Sequence, residues 1–417
     1  MKNEDYKIHI IGAGVSGLIA ARVLEESGFY PIIIEASDRV GGRVKTDIVD
    51  GYQLDQGFQV LLTAYPAAKK YLDLDALELQ YFLSGAAIFD NGKQKILGDP
   101  LRDMSLLLPT LFSGIGGVAD KFKVLKLNTV LKETSLEEIF EKPEKTTYQY
   151  LVDFGFSEEM ISKFFKPFFG GIFLEVELET SSRMFEFIYK MFGEGFAALP
   201  KAGIEAIPQQ LKNRLKNVTF RYNTTVKAVE KDRVLLENGE ELQSDYIIVA
   251  TEASSLISNL KNQQLHWKSC DTLYFETDTR EIEKPLIGLI TAKDAFINNI
   301  FYHTSLQTNL SGSKELLSVT IVKDHNLNSE SLQKQVEKEL KELCGVTIFK
   351  FIKHYKNPKA LPKLDSLQYE MSPSESRLTT RIFLAGDTQL NGSLNAAMIS
   401  GERAALGVME AISGDGF

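Results

Sequence analysis

The spacing of apolar residues changes its period several times along the chain. Lys7-Ile8-His9-Ile10-Ile11 is a short β-branched run closed by glycine, the pattern of a strand buried on both faces. Leu18 to Ser27 then carries Ala20, Ala21, Val23 and Leu24 at helical spacing, with Gly28 where a helix C-cap belongs. Pro31-Ile32-Ile33-Ile34 predicts a second buried strand that ends in Glu35. Farther along, Val218-Thr219-Phe220 and Thr225 to Val229 alternate as strands do, and Asn238-Gly239 marks a hairpin turn. Asp245 to Thr251 and Arg381 to Asp387 are two more buried strands, the second followed by a helix from about Gly392. Between these pieces, Asp120 to Thr134, Tyr148 to Phe154 and Ser331 to Cys344 read as helices, and Thr272 to Thr277 and Leu316 to Val322 as strands. The strand–helix–strand order predicts an α/β fold around a parallel sheet.

Composition narrows the class. A chain of 417 residues holds two or three domains and buries a large core without disulfides. A 44% hydrophobic and 25% charged content excludes wholesale disorder. The net charge of −9 argues against nucleic acid as a partner, because phosphate binding needs a basic field. Two cysteines, Cys270 and Cys344, exclude a disulfide framework and a Cys-rich zinc site, and read as buried residues of a reducing compartment. Five scattered histidines show no ligand spacing, so no metal is expected. The first residues lack the apolar region of a signal peptide. The uncharged run Met104 to Ala119 is broken by Pro109, Gly114, Gly116 and Gly117 and is too short for a membrane span. The expectation is a cytoplasmic protein, at most peripheral to a membrane.

The candidate chemistry begins at Gly12-Ala13-Gly14-Val15-Ser16-Gly17, between the first strand and the first helix. Gly12 permits the tight turn, Gly14 lets a pyrophosphate approach the backbone, and Gly17 lets the helix pack on the sheet. The helix N-terminus at Val15 and Ser16 presents free N–H groups to a phosphate. Glu35 stands 18 positions after Gly17, at the end of the next strand, where it accepts both ribose hydroxyls and repels a 2′-phosphate. The sequences around Gly114 and Gly193 lack the same context, so no second dinucleotide site is expected.

Glu35-Ala36 and Gly41-Gly42-Arg43 complete a fingerprint. Over Gly12 to Arg43 the chain resembles the flavin amine oxidase, phytoene desaturase and protoporphyrinogen oxidase superfamily. That resemblance implies an FAD-dependent oxidoreductase with a Rossmann-like FAD-binding domain built from segments 1–84, 196–255 and 376–417. A mixed α+β substrate domain, segments 85–195 and 256–375, is inserted into it. It implies that Gly42 and Arg43 pass beside the FAD pyrophosphate and that Gly57, Phe58, Gln59 and Val60 run past the flavin ring. It places Val226 by the adenine, Ala250 after a buried strand, and Asp387 by the ribityl or pyrophosphate. Ser393, Leu394 and Asn395 open a helix aimed at the flavin. No cysteine stands where the family attaches flavin, so the FAD is expected to be non-covalent.

Two departures from the family, and two segments, bear on the substrate and its setting. Ser393 occupies the position of an aromatic residue that cages the amine in monoamine oxidases. Cys270 aligns near the lysine that many amine oxidases place by the flavin, and Lys268, two residues away, reads as a surface lysine. The segments 163–173 and Met184 to Tyr189 are rich in Phe, which reads first as core packing and second as a substrate tunnel. Lys121, Lys123, Lys126 and Lys132 alternate with Phe122, Val124, Leu125 and Leu127; a solvated helix face is the first reading and a membrane-surface helix the second. No residue is singled out as catalytic. The function expected is dehydrogenation or desaturation of a mainly apolar small molecule, of polyene, isoprenoid or tetrapyrrole type, with oxygen or a quinone as acceptor. The alternatives are a flavin amine oxidase, and a non-redox isomerase or structural flavoprotein.

Overall fold

The computed structural model describes residues 2–99, 103–106, 110 and 114–414. All four residues of Ile8–Ile11 are buried, as a strand apolar on both sides must be. This strand pairs in parallel with Ile32–Ile34 on one side and Tyr246–Val249 on the other. Thr219–Arg221 and Ile382–Leu384 extend the sheet at its two edges, both parallel. Five strands drawn from distant parts of the chain thus form one parallel sheet.

The helix Val15–Glu26 crosses one face of that sheet and packs along the C-terminal helix Leu394–Gly414. The approach is close because Gly401 has no side chain: a Cβ there would lie 2.3 Å from the Ser16 carbonyl oxygen. The opposite face carries Val226–Glu230, Arg233–Leu236 and Glu241–Gln243, a small antiparallel sheet whose Val229, Val234 and Leu236 bury against Ile11, Ile34 and Val249. The predicted Asn238-Gly239 turn joins its last two strands, with Gly239 at φ 88°.

A second, seven-stranded sheet runs in the order Ile348–Lys363, His266–Thr277, Glu315–Ile321, Ile297–Tyr302, Ile287–Ile290, Gly85–Asp90 and Lys93–Gly98. Its pairs are antiparallel except Ile287–Ile290 with Gly85–Asp90. Helix Ser329–Cys344 covers one face through Leu332, Val336 and Leu340, which pack with Leu273, Phe275 and Val319. Ala86, Ile88 and Leu289 on the other face join the main core, which also holds residues of helices Val118–Glu133, Lys166–Phe173 and Ser182–Glu194. A π-helical turn, Ile161–Phe165, precedes Lys166–Phe173 and was not legible in the apolar spacing. Part of the uncharged run 104–119 lies outside the described residues. Among the described residues no helix is long and apolar enough to cross a membrane.

Candidate active site

One cavity of about 2000 Å³ runs from the first turn of the parallel sheet to the face of the seven-stranded sheet. Its wall contains Gly12, Gly14, Val15, Ser16, Glu35, Gly42, Arg43, Gly57, Phe58, Gln59, Val60, Ala250, Asp387, Ser393 and Leu394. These positions, spread over most of the chain, therefore share a single space. Gly17, Ala36, Val226 and Asn395 do not line it. Gly17 is a packing residue: a Cβ would stand 2.0 Å from the Gly12 carbonyl oxygen. Ala36 is exposed, and Val226 is buried in the small antiparallel sheet. Asn395 is fully buried; its Oδ1 accepts from the Ala67 N–H at 3.0 Å and its Nδ2 has no partner.

The turn has the form a dinucleotide phosphate requires. Gly12 adopts φ 103°, and a Cβ there would press on the Ala250 carbonyl oxygen at 3.0 Å. A Cβ on Gly14 would meet nothing nearer than the Gly42 Cα at 4.0 Å, so this position opens onto the cavity. Gly42, at φ 61°, faces it. Glu35 is 9% exposed. Its Oε2 accepts from the Ala13 N–H at 2.8 Å, and its Oε1 accepts from the Ser37 N–H at 2.9 Å and the Ser37 hydroxyl at 2.7 Å. Each carboxylate oxygen accepts about two hydrogen bonds, so Oε2 keeps a lone pair for a ribose hydroxyl. These residues fit FAD.

Arg43 makes a link that spacing did not reveal. Its guanidinium pairs with the buried Asp387 carboxylate, donates to the Ala360 carbonyl at 3.1 Å, and stands 5.3 Å over the Trp267 ring. Gln59 donates to the Arg43 carbonyl at 2.9 Å. Ser393 caps the C-terminal helix: its hydroxyl accepts from the Ala396 N–H at 3.0 Å and donates to Asn391 Oδ1 at 2.7 Å. The serine is thus the residue that the start of this helix needs.

The far end of the cavity is a chamber. Phe164, Phe168, Phe169, Phe173, Met184, Ile188 and Tyr189 stand in its wall. Phe165 lies wholly in the core, so the aromatic run serves packing and cavity together. The lysine-bearing helix Val118–Glu133 is also chamber wall, through Lys121, Val124, Leu125, Asn128, Leu131 and Lys132, and not a simple solvated face. Lys268 is corrected more sharply. It is not a surface lysine: its Nζ donates to Glu175 Oε2 at 2.6 Å, Thr180 Oγ1 at 2.8 Å and the Phe173 carbonyl at 3.0 Å. An ammonium has three donors, and all three are used. Cys270 is buried on the wall, where desolvation pushes its thiol up to about 11; it stays protonated at neutral pH. Beside Gln56, burial and the charge of Glu205 push the Asp55 carboxyl up to about 6.

Sequence reasoning also missed Asn299, Thr320 and Asn357, polar residues on the chamber wall. The one available signal was two asparagines set inside Ile297-Asn298-Asn299-Ile300, an otherwise apolar strand.

Known proteins share this architecture. A sequence model of the flavin containing amine oxidoreductase family matches residues 15–409. An L-amino-acid oxidase from Naja atra is 28% identical over 265 residues, 58% of this chain and 50% of that protein. The chain spans about half the length of the curated relatives it matches. A protein from Exiguobacterium sp. 255-15, provisionally named a protoporphyrinogen oxidase, has a similar structure, with a TM-score of 0.72 and 18% identity over 99% of this chain and 100% of that one. Putrescine oxidase bound to putrescine gives a TM-score of 0.71 and 17% identity over 97% and 99% of the two chains. The structural likenesses show the fold, and the match over residues 15–409 shows the family: the chain belongs to the flavin containing amine oxidoreductases, a family of FAD-dependent oxidoreductases.

Proposed function

We propose that this chain is an FAD-dependent oxidoreductase that dehydrogenates a mainly apolar small molecule. The observation that carries the reading is the continuity of one cavity from the glycine turn to an aromatic chamber. In this reading the parallel sheet is the Rossmann-like half of an FAD-binding domain made of segments 1–84, 196–255 and 376–417. Segments 85–195 and 256–375 make the substrate domain. Glu35 holds the ribose, the backbone at Gly12, Gly14, Val15 and Ser16 holds the pyrophosphate, and residues 57–60 flank the ring position. The bound, non-covalent FAD supplies two-electron acceptance. The chain supplies position and exclusion of water: the Phe walls desolvate the substrate, and the Lys268–Glu175–Thr180 cluster fixes the segment that borders the chamber. Oxygen or a quinone reoxidises the flavin. A cytoplasmic setting belongs to the same reading and agrees with two buried free thiols. Peripheral membrane contact falls to helix Val118–Glu133, whose Val118, Phe122 and Leu125 are exposed. Phe122→Ser is expected to reduce cosedimentation with anionic vesicles, and undiminished sedimentation refutes that placement.

A second reading, amine oxidation, is favoured by the family match and by the L-amino-acid oxidase relatives. Anaerobic mixing of the holoprotein with isoprenoid or tetrapyrrole precursors in detergent, and in parallel with monoamines and free amino acids, separates the two. Stoichiometric bleaching of the flavin by the apolar compounds alone supports dehydrogenation. Bleaching by an amine, with imine or aldehyde formed, replaces it with amine oxidation. Turnover without net bleaching marks the isomerase alternative.

A further inference from the structure

Where the seven-stranded sheet forms the chamber wall, it carries one row of uncharged polar side chains. Thr272, Thr320 and Asn299 are cross-strand neighbours and stand on the same face. Their exposures are 0%, 4% and 2%. Thr320 and Asn299 line the cavity. Behind them, Asn298 Nδ2 donates to the Pro167 carbonyl at 3.0 Å and to Asn299 Oδ1 at 2.9 Å, and Asn299 Nδ2 donates to Thr320 Oγ1 at 3.3 Å.

This chain of bonds fixes which hydrogens are left over. A carbonyl only accepts, so the Asn298 atom facing Pro167 is its nitrogen. That nitrogen also donates to Asn299, whose facing atom is therefore oxygen. The Asn299 nitrogen then faces Thr320, and the Thr320 oxygen accepts. Among the described residues the second Asn299 amide hydrogen and the Thr320 hydroxyl hydrogen have no acceptor, and the buried Thr272 hydroxyl has no partner at all. On the cavity side the row thus offers two donor hydrogens, one from Asn299 and one from Thr320.

Lys268, on the same strand as Thr272, spends all three hydrogens inside the protein. The Arg43 guanidinium is paired with Asp387. The row itself carries no charge, so it offers a neutral carbonyl oxygen hydrogen bonds but gives a carboxylate no counter-charge of its own. We propose that the substrate carries a neutral oxygen acceptor, a carbonyl group, on an otherwise apolar body, and that Thr320 and Asn299 seat it. This rests on the apolar chamber proposed above and adds the polar group that orients the molecule within it.

The test uses the oxidised holoprotein and three probes of equal chain length: decan-2-one, decylamine and decane. Binding is read from perturbation of the flavin absorbance band and, independently, from thermal shift. Decan-2-one is expected to bind about tenfold more tightly than decane or decylamine, the size of one neutral hydrogen bond. Thr320→Val and Asn299→Leu are expected to remove that advantage and leave decane binding unchanged, while Thr320→Ser retains it. Equal affinity for ketone and decane, or an advantage that survives in the Thr320→Val/Asn299→Leu protein, overturns the proposal. If none of the three probes binds, the apolar chamber itself is refuted. If decylamine binds most tightly, the donor row is not the orienting group.

Discussion

Glu35 does two things with one carboxylate. It braces the glycine turn through the Ala13 N–H and lies in the cavity wall with acceptor capacity to spare. The two roles separate by substitution. Glu35→Ala removes both and is expected to weaken FAD binding by about 1.5–3 kcal/mol, the value of hydrogen bonds to a charged group. Glu35→Gln keeps an acceptor for Ala13 and is expected to lose roughly half of that, with little change in the folding of the apoprotein. Titration of deflavinated protein with FAD measures both, and unchanged affinity in the Ala variant removes Glu35 from the site. Asp55 makes a different prediction. Burial raises its carboxyl from an ordinary 3.8 to about 6, so the folded chain favours the protonated form. Its contribution to stability is whole below about pH 4 and is lost as pH rises through about 6, with an upper bound of about 3 kcal/mol for a shift of that size. Asparagine can still accept from Thr46 and Ile204, which now bond to Oδ1 at 2.6 and 3.1 Å. Asp55→Asn is therefore expected to flatten the pH 4–6 slope and to raise the melting temperature at pH 7.5. A slope identical to that of the natural protein refutes the assignment.

At the scale of elements, the contact between the first and last helices decides how the two ends of the chain share one site. The Ser16 carbonyl and Gly401 leave no room for even a methyl group. Gly401→Ala must push the C-terminal helix away, an overpacking cost of about 1–3 kcal/mol. Both helix starts line the cavity, Val15 and Ser16 on one and Ser393 and Leu394 on the other, so FAD retention is expected to fall along with the melting temperature. A calorimetric scan of the holoprotein and its FAD content after gel filtration check this; a variant with full FAD content and an unchanged melting temperature contradicts it. The strand pattern was mostly readable, because buried parallel strands declare themselves as β-branched runs of limited length. The helix Val118–Glu133 was readable as a helix but not as a cavity wall. Its apolar residues do not gather on one stripe, so nothing in the spacing says which side the protein covers.

For the whole molecule, the Arg43–Asp387 pair is the clearest tie between distant segments. Denaturation is expected to release one FAD per chain into the filtrate, since neither cysteine stands in the sequence context where the family attaches flavin. Flavin that stays with the polypeptide, or release of FMN, contradicts this. What the sequence determined by itself is local: the glycine turn, the carboxylate at the next strand end and the Gly-Gly-Arg run are chemistry written within about 30 residues, where backbone geometry fixes spacing. The tertiary structure alone decided which side chains meet across long separations. Lys268 finds Glu175 only because the start of strand His266–Thr277 meets the segment after helix Lys166–Phe173, and His325 and His354 converge on Asp271 although no spacing links them. The row of Thr272, Thr320 and Asn299 exists only through strand register, and a one-residue slip of either strand that bears Thr320 or Asn299 would turn that residue away from the chamber.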